Sequence, residues 1–145
     1  MEGRVLAVDP GAKRLGIAIS DPYRILATPL AVIKHESMKV DCQKIIDLCI
    51  QNDIQQIIIG QPLSSSGEEN PQTRHARNMA EKIRIMTSIP VELWDESEST
   101  NIAKKAVIEM GIKRKKRAGH LDERAAAVIL QSYLDARQDR SADEE

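Results

Sequence analysis

Two apolar segments separated by a short polar turn, near the start of the chain, most constrain the fold. In RVLAVDP, from Arg4 to Pro10, apolar side chains occupy both sets of alternating positions, which is typical of a strand covered on both faces. The turn PGAKR follows, and LGIAIS then places large residues on one face and small residues on the other. The pattern predicts a central strand joined by a hairpin to a second, antiparallel strand.

The remaining segments predict an α/β fold built on a mixed sheet. A third strand-like run, ILATPLAVI, contains Pro29, which cannot donate a ladder hydrogen bond and therefore favours a sheet edge. Beyond His35, amphipathic helices alternate with the buried strands QQIIIG and PVELW. Helices are expected over about 73–86 and 100–110, and a last helix is expected from Leu121. Since helical crossovers are right-handed, the order βββαβαβαα favours a five-stranded sheet of order 3-2-1-4-5, with helices on both faces.

Length and composition predict one domain. The chain has 145 residues, of which 41% are hydrophobic and 30% charged, and this suits a soluble protein with one core. We place the domain over residues 1–137 and expect a disordered acidic tail over 138–145. No segment approaches the ~20 apolar residues of a membrane span, and the first residues lack a signal peptide's long apolar region. We therefore expect a cytoplasmic protein.

The cysteines and histidines give no metal-binding signature. Cys42 and Cys49 are seven positions apart on a predicted helix, which is too far for a disulfide, so both are interpreted as buried packing residues. His35, His75 and His120 are scattered along the sequence, without the spacing of a zinc site.

Acidic residues follow two of the predicted parallel strands. Asp9 follows the first strand and Glu96 follows the fifth, and ligands bind at the sheet edge where such strands end. Asp122 falls at the start of the last helix, which can pack across that edge. Each acid alone has a structural interpretation, as a turn residue or a helix cap. Three converging acids, however, would repel one another without divalent cations, and hard oxygen ligands favour Mg²⁺ or Mn²⁺.

Several motifs, in order, resemble those of one family. DPGAKRLGIAISD, ATPL, IIIGQPLSSSGEENPQ, LWDESEST, KRKKR and LDERAAAVIL are similar to segments of the YqgF (RuvX-like) family of pre-16S rRNA nucleases and Holliday-junction-resolvase-like proteins. The resemblance covers Val5 to Leu134 and implies an RNase H-like fold. It also implies that Asp9, Glu96 and Asp122 form the metal-binding, catalytic acidic set.

One segment departs from the family pattern. Family members usually continue Asp-Glu-Arg with an apolar residue and two threonines, whereas this chain reads DESEST from Asp95 to Thr100. Glu96 is retained, but Ser97 replaces an arginine suited to contacting phosphate or steadying a carboxylate, and Glu98 adds negative charge. The departure bears on activity rather than on fold.

Two groups of cations are candidate phosphate contacts. Lys13 and Arg14 lie in the turn after the first strand, where an exposed turn with ordinary solvated cations is the alternative. The run KRKKR precedes the Asp122 helix and is either a solvated connector or a surface that draws a nucleic-acid backbone toward the acids. With one Trp, two Tyr and no Phe, base stacking cannot be the main binding mode. The run consists of Lys113, Arg114, Lys115, Lys116 and Arg117.

The predicted function is that of a metal-dependent nuclease. The resemblance implies two-metal phosphodiester hydrolysis, with processing of the 5′ end of pre-16S rRNA, in ribosome biogenesis, as the expected role. A Holliday junction resolvase acting on branched DNA, which would need a symmetric dimer, and a nucleic-acid-binding protein without catalysis are alternatives. An ATP-binding module like those of actin or Hsp70 is disfavoured because those proteins pair two copies of the fold. The partner is structured RNA or branched DNA, with no membrane, and the chain acts as a monomer or homodimer.

Overall fold

The computed structural model describes residues 2–61, 70–95 and 118–143, and within them the chain forms strands and helices in the predicted order. The predicted loop that follows the fourth strand and the predicted helix near 100–110 lie wholly or mainly outside these ranges. In chain order the elements are β1 (Arg4–Pro10), β2 (Arg14–Ser20), β3 (Ala27–Lys34), α1 (Met38–Gln51), β4 (Ile54–Gln61), α2 (Pro71–Met86), β5 (Val91–Asp95) and α3 (Ala118–Asp143).

The five strands form one mixed sheet of order β3-β2-β1-β4-β5, which confirms the predicted topology. β1 is antiparallel to β2 and parallel to β4, and β4 is parallel to β5. Val8 marks the register across the centre of the sheet, because it pairs with Ile17 of β2 and with Ile59 of β4. The carboxyl ends of the three parallel strands therefore meet at one edge of the sheet, which we call the carboxyl edge.

β3 is the outer strand on one side, as the proline in it predicts. Pro29 pairs with Ala18, next to a register shift between Ile17 and Ala18. An outer strand accommodates proline because no further strand requires the missing N–H.

Each face of the sheet is covered by helix. On one face, α1 and α2 bury Leu6, Val8 and Ile17 together with side chains of β4. Cys42 and Cys49 belong to this core, where burial raises the pKa of Cys42 to about 11 and that of Cys49 to about 12. Their predicted packing role is confirmed, and neither thiol forms a disulfide.

The other face is covered by α3. Ala126, Ile129, Leu130, Tyr133 and Leu134 of this helix pack against small and branched side chains of β1, β2 and β4. The small Ala18 lies on this face of β2, whereas the larger Ile17 faces α1 and α2. The alternation of large and small residues in LGIAIS thus leaves room for α3 to lie close to the sheet.

Side chains and a proline set the starts of α1 and α2. Ser37 accepts a hydrogen bond from the Val40 N–H at 3.2 Å, and Asn70 accepts one from the Thr73 N–H at 2.9 Å. Pro71 occupies the first turn of α2, where its missing N–H costs nothing, so α2 begins two residues earlier than the hydrophobic pattern predicts.

α3 is longer at both ends than predicted from the sequence. It begins at Ala118 rather than Leu121 and continues to Asp143, through the segment from 138 for which we expected an irregular tail. Contacts near its end account for part of the difference. Arg137 donates to Glu2 and lies 5.8 Å from the centre of the Tyr133 ring.

No helix among the described residues is long and apolar enough to cross a membrane.

Candidate active site

Asp9 is the second-to-last residue of β1 and lies at the carboxyl edge. It pairs with Gly16 of β2 and is partly buried. Val5 and Ala7 of the same strand pack under α3, and strand alternation puts Asp9 on that face too. The sheet therefore presents the Asp9 carboxylate at the carboxyl edge on the side covered by α3.

The turn after Asp9 is tightly closed. Pro10 pairs with Leu15, and a Cβ built on Gly11 would lie 2.3 Å from the carbonyl oxygen of Arg14. Only glycine fits there without a shift of the backbone. The carbonyl of Lys13 accepts a hydrogen bond from the His35 N–H at 2.9 Å, which ties the turn to the end of β3. Lys13 and Arg14 are exposed, which is compatible both with phosphate contacts and with ordinary solvated cations.

β5 ends at the same edge, two strands away from β1. Ile59 of β4 pairs with Val8 on one side and with Leu93 on the other. Adjacent strands are about 4.8 Å apart, so the ends of β1 and β5 are separated by about 10 Å. Asp95, the last residue of β5, pairs with Gln61. Glu96 follows it directly in the sequence and lies outside the described residues.

The direction of α3 brings its first turns toward the carboxyl edge. Arg137 binds Glu2, just before β1, so the late part of α3 lies at the opposite edge. From there back to Asp122 is 15 residues of helix, about 22 Å at 1.5 Å per residue. From Glu2 to Asp9 is seven residues, which span about 23 Å in a strand. The backbone of Asp122 therefore lies near the level of Asp9, and its side chain is outside the described part.

Between α3 and the sheet lies a buried aromatic contact near the end of β5. The rings of Trp94 and Tyr133 meet edge to face with centroids 5.4 Å apart. The Tyr133 hydroxyl accepts from the amide of Gln56 at 2.8 Å, whereas the buried Trp94 Nε1 has no acceptor among the described residues. Burial raises the pKa of Tyr133, with a further contribution from Glu92. The contact holds the end of β5 against α3.

Sequence reasoning missed a cationic groove beside the β1–β2 turn. It has a volume of about 760 Å³ and is lined by Ala12, Lys13, Arg14, Val32, Lys34 and His35. Lys13 and Arg14 were predicted as phosphate contacts, but Lys34 and His35 were not. Their signal in the sequence was only their position at the end of the edge strand.

The proposed metal ligands are described in part. Glu96 and the side chain of Asp122 lie outside the described residues. The cationic run 113–117, proposed as a phosphate-binding surface, lies outside them too. Over the part of the chain that the structure describes, no group of three or more His, Cys, Asp or Glu side chains is arranged to hold a metal ion. Asp9 is the member of the predicted acidic set whose side chain is described.

A five-stranded sheet of order 3-2-1-4-5, with helices on both faces and an acid at the end of its central strand, is the architecture of an RNase H-like protein. The structure is similar to that of RuvC from T. thermophilus in complex with a Holliday junction substrate, with a TM-score of 0.64 and 17% identity over 94% of this chain and 96% of RuvC. A second structure of Thermus thermophilus RuvC gives a TM-score of 0.57 and 16% identity over 93% and 96%.

The chain belongs to the RuvX family, described as Holliday junction resolvase, whose model matches residues 3–136. Relatives provisionally named pre-16S rRNA nucleases cover nearly all of it. The protein from Dictyoglomus thermophilum is 41% identical over 92% of this chain and 96% of its own length. The protein from Endomicrobium trichonymphae is 39% identical over 94% of this chain and 98% of its own length. The predicted family and fold are confirmed.

Proposed function

We propose that this protein is a metal-dependent nuclease that hydrolyses phosphodiester bonds in the 5′ region of pre-16S rRNA, in the cytoplasm. The observation that carries the proposal is the position of Asp9, at the carboxyl edge, on the face that α3 covers and near the level of the α3 turn containing Asp122. Relatives named as pre-16S rRNA nucleases support the choice of substrate.

The acidic set suits Mg²⁺ or Mn²⁺, since carboxylate oxygens are the donors these ions prefer. Asp9, Glu96 and Asp122 would hold the cations. When bound, such ions acidify water and stabilise the negative charge that develops in the transition state. The backbone of Asp9 is fixed, because it belongs to a strand paired with β2.

Two groups of cations would hold the phosphate backbone. Lys13, in the turn that follows β1, and Arg14, the first residue of β2, are both exposed. The run from Lys113 to Arg117 immediately precedes α3 in the sequence and is proposed as the second contact surface. Backbone contacts position a substrate without reading its sequence, so the choice of RNA would depend on shape.

A second candidate function is resolution of branched DNA. It is favoured by the family description, Holliday junction resolvase, and by the fold shared with RuvC. The DESEST segment favours a third possibility, binding without cleavage, because Ser97 and Glu98 remove a cation and add an acid beside Glu96. A substrate panel separates these three functions.

The panel consists of a labelled precursor fragment spanning the mature 5′ end of 16S rRNA, an unstructured RNA and a four-way DNA junction. Each is incubated with Mg²⁺, with Mn²⁺ and with chelator. We expect metal-dependent cleavage of the precursor fragment in preference to the other two. Preferential cleavage of the junction would establish the second function instead. Binding of the precursor without cleavage under any condition would establish the third.

The role of Asp9 is tested by Asp9→Asn, which removes a ligand charge with almost no change in volume. We expect cleavage to fall below detection, while the melting temperature is unchanged or slightly higher because repulsion among the acids is relieved. The matched control is Asp47→Asn, at an exposed position on α1, which should cleave like the unaltered protein. Cleavage retained by a folded Asp9→Asn protein would exclude the proposed role.

A further inference from the structure

We propose that the groove beside the β1–β2 turn binds a second backbone phosphate of the nucleic-acid substrate, with Lys34 and His35 as its phosphate contacts alongside Lys13 and Arg14. The inference rests on the proposed nuclease function and extends it to a binding subsite at some distance from the acids. Four observations support it: the pairing of two cations, the fixed position of His35, the hydrogen-bonding capacity of its ring, and the location of the groove.

Two cations of the groove are direct neighbours across strands. Arg14 of β2 pairs with Lys34 of β3, and both side chains are exposed. Like charges placed directly opposite each other in an antiparallel pair are destabilising. Lys13, the residue just before Arg14 in the sequence, adds a third positive charge to the same groove. A bound phosphate would lower the repulsion among the three.

The side chain of His35 is fixed in place from two directions. Its Nδ1 contacts the carboxylate of Asp41, which is fully buried and also accepts from the Glu36 N–H at 3.0 Å. Its ring meets the ring of His75, from α2, edge to face at 6.3 Å. Nevertheless 35% of the His35 side chain is exposed, and it lines the groove. A ligand would find this imidazole already oriented.

The hydrogen-bonding capacity of His35 fits an anion. Nδ1 is engaged by Asp41, which leaves Nε2 as the ring nitrogen for a ligand. An imidazolium donates from both nitrogens, so this form can hold Asp41 and a phosphate oxygen at the same time. The nearby acid Glu36 is paired with Lys44 at 3.3 Å, and Asp41 is buried beneath the ring.

The groove lies on the same sheet edge as Asp9. β3 ends at Lys34 and is two strands from β1, so the Lys34 end of the groove is about 10 Å from the end of β1. This separation is about three base steps of a duplex at ~3.4 Å per step. A backbone held at Asp9 therefore has another phosphate within reach of Lys34 and His35.

The test is a binding titration of the labelled 5′ precursor fragment in chelator, which stops metal-dependent cleavage, at several salt concentrations. His35→Asn is the informative variant, because an asparagine amide can still donate to Asp41 but has no counterpart of Nε2. We expect it to reduce the salt slope by roughly 0.7–0.9 in log affinity per log salt. If the two proteins bind equally at 1 M salt, this slope difference is a roughly five- to eightfold loss of affinity at 0.1 M salt. Lys34→Ala should give a loss of the same size.

Arg4→Gln is the matched control, since it removes one positive charge at the opposite end of β1. It should leave affinity and salt slope unchanged. If Arg4→Gln weakens binding as much as the groove variants, net charge alone explains the effect and the subsite is excluded. If His35→Asn and Lys34→Ala bind like the unaltered protein, while that protein cleaves the fragment, the subsite is excluded and the nuclease function stands. Failure of the unaltered protein to bind any nucleic acid would overturn both.

Far-UV circular dichroism and a thermal melt accompany each variant. A His35→Asn protein that melts like the unaltered one, yet binds with the smaller slope, attributes the loss to the missing Nε2 rather than to a loosened Asp41. A lower melting temperature with an unchanged slope would assign His35 a structural role and contradict the subsite.

Discussion

Gly11 is the residue on which the geometry of the candidate site most depends. It lies between Asp9 and the two cations of the turn, and a Cβ there would meet the backbone oxygen of Arg14 rather than a movable side chain. The turn can therefore accept a larger residue only by displacing β1 relative to β2. Such a displacement would move the Asp9 carboxylate and the Lys13 carbonyl that holds His35.

Gly11→Ala tests this dependence. We expect a loss of about 1–3 kcal/mol in the free energy of unfolding, because the added methyl group forces a backbone shift in a packed turn. The measurement is urea denaturation followed by circular dichroism. Ala12→Ser, at the exposed neighbouring position, should change stability by less than about 0.5 kcal/mol. Equal stability of the Gly11→Ala and unaltered proteins would show that the turn relaxes without cost.

At the level of residues, the sequence was informative where the signal was local. The position of Asp9 at the end of a strand could be predicted because a turn sequence, Asp-Pro-Gly, follows an apolar run, and the outer position of β3 could be predicted because proline is excluded from central strands. His35 could not be predicted as a site residue. Its partner Asp41 is six positions away, and that carboxylate is buried only because α1 packs onto the sheet. A contact formed by packing leaves no pattern in the local sequence.

Among the elements, α3 is the one that the proposed acidic site most depends on. It covers one face of β1, β2 and β4, and its length, counted back from the contact of Arg137 with Glu2, carries the backbone of Asp122 to about the level of Asp9. Gln131 fixes the helix along its length, since its side chain accepts from the Ala27 N–H at 2.9 Å and donates to the Ile25 carbonyl at 3.0 Å. The middle of α3 is thus joined by one hydrogen bond to the first residue of β3 and by another to the segment just before it.

Leu130→Ala tests the contribution of this helix. Leu130 is fully buried between α3 and the sheet, so we expect a fall of about 2–5 kcal/mol in the free energy of unfolding, because apolar burial decreases and a cavity remains. Urea denaturation measures it. Ile85→Ala on α2 is the control, because 81% of that residue is exposed, and it should change stability by less than about 0.5 kcal/mol. Similar destabilisation of the two variants would contradict this packing of α3.

Helix and strand identities were predictable from periodicity, whereas helix ends were not. Among the α3 side chains that the structure describes, Leu134 is the last buried one. The helix nevertheless continues, with Arg137 bound to Glu2 and Gln138 close to the Arg24 carbonyl at 3.5 Å. These contacts join residues more than 110 positions apart in the sequence, and hydrophobic periodicity cannot report them.

For the whole molecule, the distribution of charge matters more than its sum. The net charge is −1, yet Lys13, Arg14 and Lys34 meet at one corner of the carboxyl edge. The sheet order was predictable because right-handed crossovers leave few arrangements for this sequence of elements. The convergence of all three proposed acids remains a prediction, because the side chains of Glu96 and Asp122 lie outside the described residues.

Replacing Lys115, Lys116 and Arg117 together with alanine tests the second proposed binding surface. We expect weaker binding of the precursor fragment and a smaller salt slope, by roughly 0.7–0.9 in log affinity per log salt for each phosphate that the protein no longer neutralises. A binding titration at several salt concentrations measures both quantities. Unchanged affinity and slope would identify the run as a solvated connector and leave the β1–β2 turn and groove as the binding surface.

The covering of one sheet face by α3 has a consequence during synthesis of the chain. Val5, Ala7, Ala18 and Ile58 are made early, but the α3 side chains packed in the same cluster extend as far as Leu134. At roughly 5–20 residues per second, a ribosome needs about 4–15 s to travel from Ile58 to Leu134. Throughout that interval these four side chains lack the helix that covers them, and a chain truncated before α3 would never gain that cover.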